Sequence, residues 1–177
     1  LMVRNYRYLT AKPYVVVVNV DESKISDHEA NRNSEIAQFC QERGIPWQYL
    51  SARIEAEIAE LDGEERQLFL EELNITESGL FTVTRLVYTR LGLISFFTVG
   101  EDEVKAWTIT KGLTAREAAG KIHSDIERGF IRAEVVSFDD FARAGSMNAA
   151  RTEGTLRLEG KDYIVNDGDI IHFRFNI

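Results

Sequence analysis

Val15-Val16-Val17-Val18-Asn19-Val20-Asp21-Glu22 is the stretch that decides the fold. Four consecutive Val residues read as a strand covered on both faces, as in a parallel α/β sheet. Ligands of such sheets bind just beyond the carboxyl ends of the strands. The strand ends there in Asn19, whose amide offers a donor and an acceptor and suits the N7/exocyclic edge of a purine. Glu22, three residues on, can accept from base N–H groups.

A P-loop nucleotide-binding fold keeps its base-reading loop at this place, and GTPases write it Asn/Thr-Lys-x-Asp. Here Val20 replaces the Lys and Glu22 the Asp, which argues against ordinary guanine selection. The phosphate loop Gly-x-x-x-x-Gly-Lys-Ser/Thr has no match. Gly120-Lys121 is followed by Ile122 and Gly160-Lys161 by Asp162. The chain opens Leu1-Met2 inside what reads as a helix ending before Lys12-Pro13. The expectation is the C-terminal portion of a longer nucleotide-binding protein.

The second strand supports a shared site. Asn31 to Arg43 reads as an amphipathic helix with Ile36, Phe39 and Cys40 inward, stopped by Gly44. Trp47–Leu50 is a short strand followed by Ser51-Ala52-Arg53. A right-handed parallel crossover then places Ser51 and Ala52 at the same sheet edge as Asn19, so two loops can close around one base. An acidic helical run follows from Glu55 to Glu72, broken at Asp62-Gly63, with Ile58, Leu61, Leu68, Phe69 and Leu73 on a covered face. Leu80 to Leu91 forms a further helix ending before Gly92.

The pattern changes after residue 92. Leu93–Val99 and Val104–Ile109 read as strands joined by the turn Gly100-Glu101-Asp102. Thr114-Ala115-Arg116-Glu117 is a capping box opening a helix to about Glu127. Phe130–Phe138 is a strand, Asp139–Ala144 a short helix, and Tyr163-Ile164-Val165 a short strand. Asn166-Asp167-Gly168-Asp169 turns into a last strand, Ile170–Phe175. One helix crossing a small mixed sheet resembles the ubiquitin-like β-grasp. The predicted fold class is therefore α/β plus α+β. Residues 1–92 read as the C-terminal part of a P-loop NTPase parallel sheet with helices, and 93–177 as a β-grasp.

Composition narrows the classes. The chain has 177 residues, 44% hydrophobic, with two Pro, enough for a sizeable core. A net charge of −8 argues against nonspecific binding to duplex DNA. The second half carries 11 Lys+Arg against 14 Asp+Glu, closer to balance, and leaves room for a local basic face toward RNA. The single Cys40 excludes an internal disulfide. No apolar run reaches membrane-spanning length, and the expected compartment is the cytoplasm.

Each tempting residue has a plainer reading. Asn19 and Glu22 suit helix caps, and so does Ser51. Cys40 suits a core thiol. Paired acids such as Glu64-Glu65 and Glu71-Glu72 do not face one another on a helix and read as solvated surface. His123 reads as exposed surface and His172 as a sheet-face residue, with no metal-ligand spacing. Trp107 and Phe130 suit core packing better than base stacking. Lys105, Lys121, Arg128, Arg132, Arg157 and Lys161 would form an RNA-facing patch only if the sheet gathers them.

The residues together resemble the C-terminal part of the YchF family, the Obg-like ATPases. The resemblance is carried by Lys12-Pro13, Asn19-Val20-Asp21-Glu22, Ser51-Ala52 and Ile58-Ala59-Glu60-Leu61. Longer signatures are Glu103–Ile109, Ala119–Asp125, Gly129–Glu134, Leu158–Val165 and Asp167-Gly168-Asp169. From Trp107 onward the chain is similar to that family's TGS domain. The resemblance implies binding and hydrolysis of ATP, and of GTP less well, with Mg²⁺ in the complete protein. It implies that Asn19 contacts the purine edge and Val20 the base, and that Glu22 stands where the guanine-selecting Asp sits. Ser51 and Ala52 would present backbone N–H groups. It also implies a ribosome or RNA partner docked by the TGS domain, and a redox or stress link. The family's phosphate loop, Mg²⁺ ligand and switch regions find no counterpart in these residues, so this chain alone is not expected to hydrolyse ATP. The rival expectation is a non-enzymatic β-grasp module that binds RNA or ribosomes.

Overall fold

The computed structural model describes residues 8–25, 27, 31–32, 34–100 and 103–176. The chain divides into two compact units, Leu1–Leu91 and Gly92–Ile177.

The first unit begins with a 3₁₀ turn at Leu9–Ala11, after which Lys12 is extended. The helix expected ahead of Lys12-Pro13 falls mostly on residues 1–7, outside the described residues. Strand β1 (Val16–Asn19) is followed by a 3₁₀ turn at Glu22–Lys24 and helix α1 (Glu35–Glu42). Strand β2 (Trp47–Leu50) and helices α2 (Ala52–Glu60), α3 (Gly63–Glu72) and α4 (Gly79–Leu91) complete it. β1 and β2 pair in parallel, from Val16 opposite Trp47 to Asn19 opposite Leu50.

The sequence reading needs three corrections here. β1 is not covered on both faces: with β2 as its one partner among the described residues, Val17 is left 43% exposed. In α1 the buried side is Ala37 and Cys40, one turn apart, while Ile36 and Phe39 face outward. The Arg43 guanidinium covers the Phe39 ring at 3.9 Å, a cation–π contact that shields the exposed aromatic. Leu68 is also exposed, because α3 turns Phe69, Leu70 and Leu73 toward the core of Ile25, Ile54 and Ile58.

In the second unit, β3 (Leu93–Val99) and β4 (Val104–Thr110) form an antiparallel hairpin. Glu101 and Asp102 of the expected turn lie outside the described residues. Helices α5 (Ala115–Ile122) and α6 (Ser124–Arg128) lead to β5 (Phe130–Ser137). Then come α7 (Phe138–Ala144), α8 (Met147–Thr152), β6 (Arg157–Glu159) and β7 (Asp169–Phe175). The sheet order is β4-β3-β7-β5-β6, with β7 parallel to β3 and antiparallel to β5.

Alternation along these strands builds two cores, because successive side chains point to opposite faces. Ile94, Phe96, Ala133, Val135, Ile171 and Phe173 pack on one face with Ala115, Ala118 and Ala119 of α5. Val136 and Ile170 pack on the other with Ala150 of α8 and Phe141 of α7. The capping box is present: Thr114 accepts from the Glu117 backbone N–H, and Glu117 accepts from that of Thr114.

Three expectations for this unit change. The single helix to Glu127 is broken at His123, whose extended backbone ends α5 and whose Nδ1 accepts from the Asp125 N–H to start α6. Tyr163–Val165 is not a strand but one bridge, Thr114 to Ile164. Phe138 opens α7 instead of ending β5, since Ser137 caps the helix by accepting from the Asp140 N–H.

Candidate functional site

The parallel register brings the residues singled out in sequence to one end of the β1–β2 pair. Val20 N–H donates to the Leu50 carbonyl at 2.8 Å, prolonging the pairing one residue beyond the strands. Asn19 Oδ1 accepts from the Ala52 backbone N–H at 2.9 Å. Ala52 is the first residue of α2, so Asn19 satisfies one of the orphan N–H groups that every helix start leaves. Asn19 does cap a helix, but the one after β2, 33 residues away, and not the next helix in sequence.

Glu22 begins the 3₁₀ turn after β1, and its carboxylate meets Arg53 Nε at 2.8 Å. The turn is capped by Asp21, which accepts from the backbone N–H and the hydroxyl of Ser23. Those hydrogen bonds, the hydroxyl's first, hold the Asp21 carboxyl below its ordinary pKa. Ser51 occupies the N-cap position of α2 but is buried, and its hydroxyl makes no capping bond. Its carbonyl accepts from the Glu55 N–H instead. Asn19, Val20, Glu22, Ser51 and Ala52 thus lie together, with Arg53, to which the sequence reading gave no role, as a further member.

The geometry fixes what each polar group can still do. With Oδ1 engaged, the Asn19 amide has its Nδ2 donors left for an acceptor such as a purine N7. The Ala52 N–H is aimed at Asn19, not outward. Glu22 keeps acceptor capacity beside a fixed cation. The Glu55 carboxylate accepts from the N–H groups of Gly79 at 2.7 Å and Leu80 at 3.1 Å, tying the start of α4 to α2. Sequence reasoning missed this anchor too. No local signal marks it, since donor and acceptor stand 24 positions apart in the chain.

In the second unit the six cations considered together in sequence are not gathered. Lys105 lies over the Trp107 ring on β4, and Trp107 Nε1 donates to Thr98 Oγ1 at 3.0 Å. Arg157 is on β6, at the opposite edge of the sheet, between Asp169, Glu159 and Tyr163. Arg128 is paired with Asp125. Lys121 stands on α5, over one face. Among the described residues no group of three or more His, Cys, Asp or Glu side chains could hold a metal ion.

A family model described as YchF-GTPase_C, "Protein of unknown function (DUF933)", matches residues 93–176. The ribosome-binding ATPase YchF of Bacillus subtilis is 50% identical over 177 residues, covering 99% of this chain and 48% of that protein. This chain belongs to the YchF family. It matches the C-terminal half of the family's members, and spans about half the length of the curated relatives. Human Obg-like ATPase 1 is 42% identical over 99% of the chain and 44% of its own length. Among solved YchF-family structures, that of the Schizosaccharomyces pombe YchF GTPase superposes with a TM-score of 0.87 at 32% identity. The match covers 98% of this chain and 46% of that one. Among the described residues no helix is long and apolar enough to cross a membrane.

Proposed function

We propose that this chain is the base-reading and ribosome-docking half of a ribosome-associated ATPase. Residues 1–92 are the C-terminal part of its P-loop nucleotide domain, and residues 93–177 are its TGS domain, a β-grasp. The complete protein binds ATP, and GTP less well, with Mg²⁺, works in the cytoplasm and serves a redox or stress response. Phosphate and Mg²⁺ ligation and the hydrolytic step are assigned to parts of that protein outside these 177 residues.

The observation that carries the nucleotide reading is the Asn19–Ala52 hydrogen bond. It orients the Asn19 amide with its donors free for N7, which adenine and guanine share. It also removes the Ala52 N–H as a donor to the 6-oxo group of guanine. Glu22 then accepts from the exocyclic amine of adenine, so the pair favours ATP. The β-grasp reading is supported by the hairpin, the covering helix and the last strand inserted parallel to β3. The docking reading is supported by relatives named as ribosome-binding ATPases.

The test is competition binding of ATP and GTP to the complete protein carrying Asn19→Ala or Glu22→Asp. Asn19→Ala should weaken both nucleotides, and Glu22→Asp should move preference toward GTP. Unchanged affinity for both in both variants would remove the base-site assignment.

A further inference from the structure

The far end of the β7–β5–β6 ladder carries a second feature. Arg132 on β5 and Arg174 on β7 are direct cross-strand partners. Like charges facing one another in a sheet are unfavourable, so this pairing works against the fold. Glu134, 8% exposed, lies two residues along β5. Its carboxylate meets Arg174 Nε at 3.3 Å and Arg151 Nη2, from α8, at 3.1 Å. Arg151 and Arg174 keep about half of their side-chain surface in solvent, at 53% and 52%. Arg132 has no ion-pair partner among the described residues. One buried carboxylate therefore holds two guanidinium groups outward beside a third, leaving a local excess of two positive charges on a chain of net charge −8.

These groups line a groove of about 680 Å³ that also contains Leu158 and Phe175, which are 60% and 42% exposed. The register of β5 against β7 shifts between Phe130 and Arg132. Such irregularities re-aim side chains and are enriched next to functional sites. Guanidinium forks match phosphate oxygens in two-pronged hydrogen bonds, and Leu158, paired with Glu134 across the ladder, adds exposed apolar surface on the same face. Alternating cations and apolar surface suit a single strand better than a duplex, whose bases are already stacked. We infer that the Arg132–Arg151–Arg174 groove binds the phosphodiester backbone of a single-stranded RNA segment, with its bases over exposed Leu158, the cross-strand partner of Glu134. The inference rests on the ribosome-docking reading above and names the face that performs it.

Two measurements on the 177-residue chain decide it: fluorescence anisotropy with a labelled 12-nucleotide oligo(U) between 50 and 200 mM salt, and cosedimentation with ribosomes. Arg132→Gln combined with Arg151→Gln should weaken RNA binding about tenfold or more, from loss of charge-assisted hydrogen bonds. The slope of log affinity against log salt should fall by about 0.7 for each phosphate that is no longer neutralised. Lys121→Gln removes the same kind of charge from the opposite face and should change affinity less than about twofold. Arg132→Gln alone, which breaks no ion pair, gives the same direction should the double variant fail to fold.

Equal losses in the groove and Lys121 variants would overturn the site, leaving only bulk charge. No binding of oligo(U) at 50 mM salt, with ribosome binding abolished by the groove variants, would give the face to a ribosomal protein and overturn the RNA occupant. Ribosome binding unaffected by the groove variants would overturn the inference and leave the docking reading standing. Absence of ribosome binding by the unmodified chain would instead overturn the docking reading, and oligo(U) binding lost in the groove variants would still support the groove.

Discussion

Asn19 accepts a hydrogen bond from the backbone N–H of Ala52 at 2.9 Å, joining the ends of two parallel strands through one carboxamide. The bond has a structural consequence that is separable from any role toward a base. Asn19→Ala leaves the first N–H of α2 without its acceptor, and loss of a cap costs about 0.5–2 kcal/mol. The expected outcome is a lower urea midpoint for the 177-residue chain with an unchanged slope. Asn19→Asp keeps the acceptor and should restore most of that stability, while losing the Nδ2 donors that the purine assignment needs.

Glu22 and Arg53 form a contact of 2.8 Å, but their side chains are 43% and 76% exposed. Exposed pairs are worth about 0–1 kcal/mol, so Glu22→Gln should barely move the urea midpoint. The same change should alter nucleotide preference in the complete protein, because it exchanges a pure acceptor for a group that also donates. A large stability loss would instead mark Glu22 as a structural residue.

Gly79 sits where α4 begins, against β2. A Cβ added there would stand 2.7 Å from Leu50 Cβ and 3.0 Å from Glu55 Oε1. Gly79→Ala should therefore destabilise the chain by about 1–3 kcal/mol, the usual cost of overpacking, although alanine is the better helix former. Denaturant unfolding followed by the Trp47 and Trp107 fluorescence measures it. Trp47, in the first unit, should report an earlier transition than in the unmodified chain.

The sequence made some of this legible for a physical reason. A Val run, a helix and a second strand allow few arrangements, and parallel pairing of the two strands puts Asn19 beside Ser51-Ala52 in the one that occurs. The capping box at Thr114-Glu117 is a local signal and was readable for the same reason. Pairings with no local pattern were not. Arg53 with Glu22 and Glu55 with Gly79 depend on how distant segments meet. β6, Arg157–Glu159, and α8, Met147–Thr152, are too short to show a period. Arg132 was singled out with other cations, but its grouping with Arg151 and Arg174 was not legible, because the three come from three elements and converge only once β7 is inserted beside β5.

Asp169 anchors the start of β7. It is 3% exposed and accepts from the Tyr163 hydroxyl at 2.8 Å and the Asn166 N–H at 2.9 Å. Burial first, and then the hydrogen bond to Asp169, push the Tyr163 hydroxyl above its ordinary pKa. Tyr163→Phe removes that donor and leaves a buried carboxylate one partner short, at a cost of about 1–3 kcal/mol. The urea midpoint should fall. Asp169→Asn, which removes the charge along with an acceptor, should lose less when combined with Tyr163→Phe than alone.

Acid should weaken the second unit at its capping box. The backbone N–H of Thr114, then its hydroxyl, hold the Glu117 carboxyl below its ordinary pKa. A carboxylate whose folded pKa is depressed contributes stability that is present above its unfolded value, about 4.3 for Glu. The contribution is lost as pH falls through the lower folded value. Unfolding midpoints measured from pH 7 down to pH 3 should therefore hold nearly constant until about pH 5, as far as this group is concerned, and then decline. Glu117→Gln cannot titrate, so it should lower the midpoint at pH 7 and make the decline shallower. An equally steep decline in the variant would assign the acid sensitivity to other depressed carboxyls, of which Asp125 beside Arg128 and Asp140 beside Ser137 are the nearest candidates in the same unit.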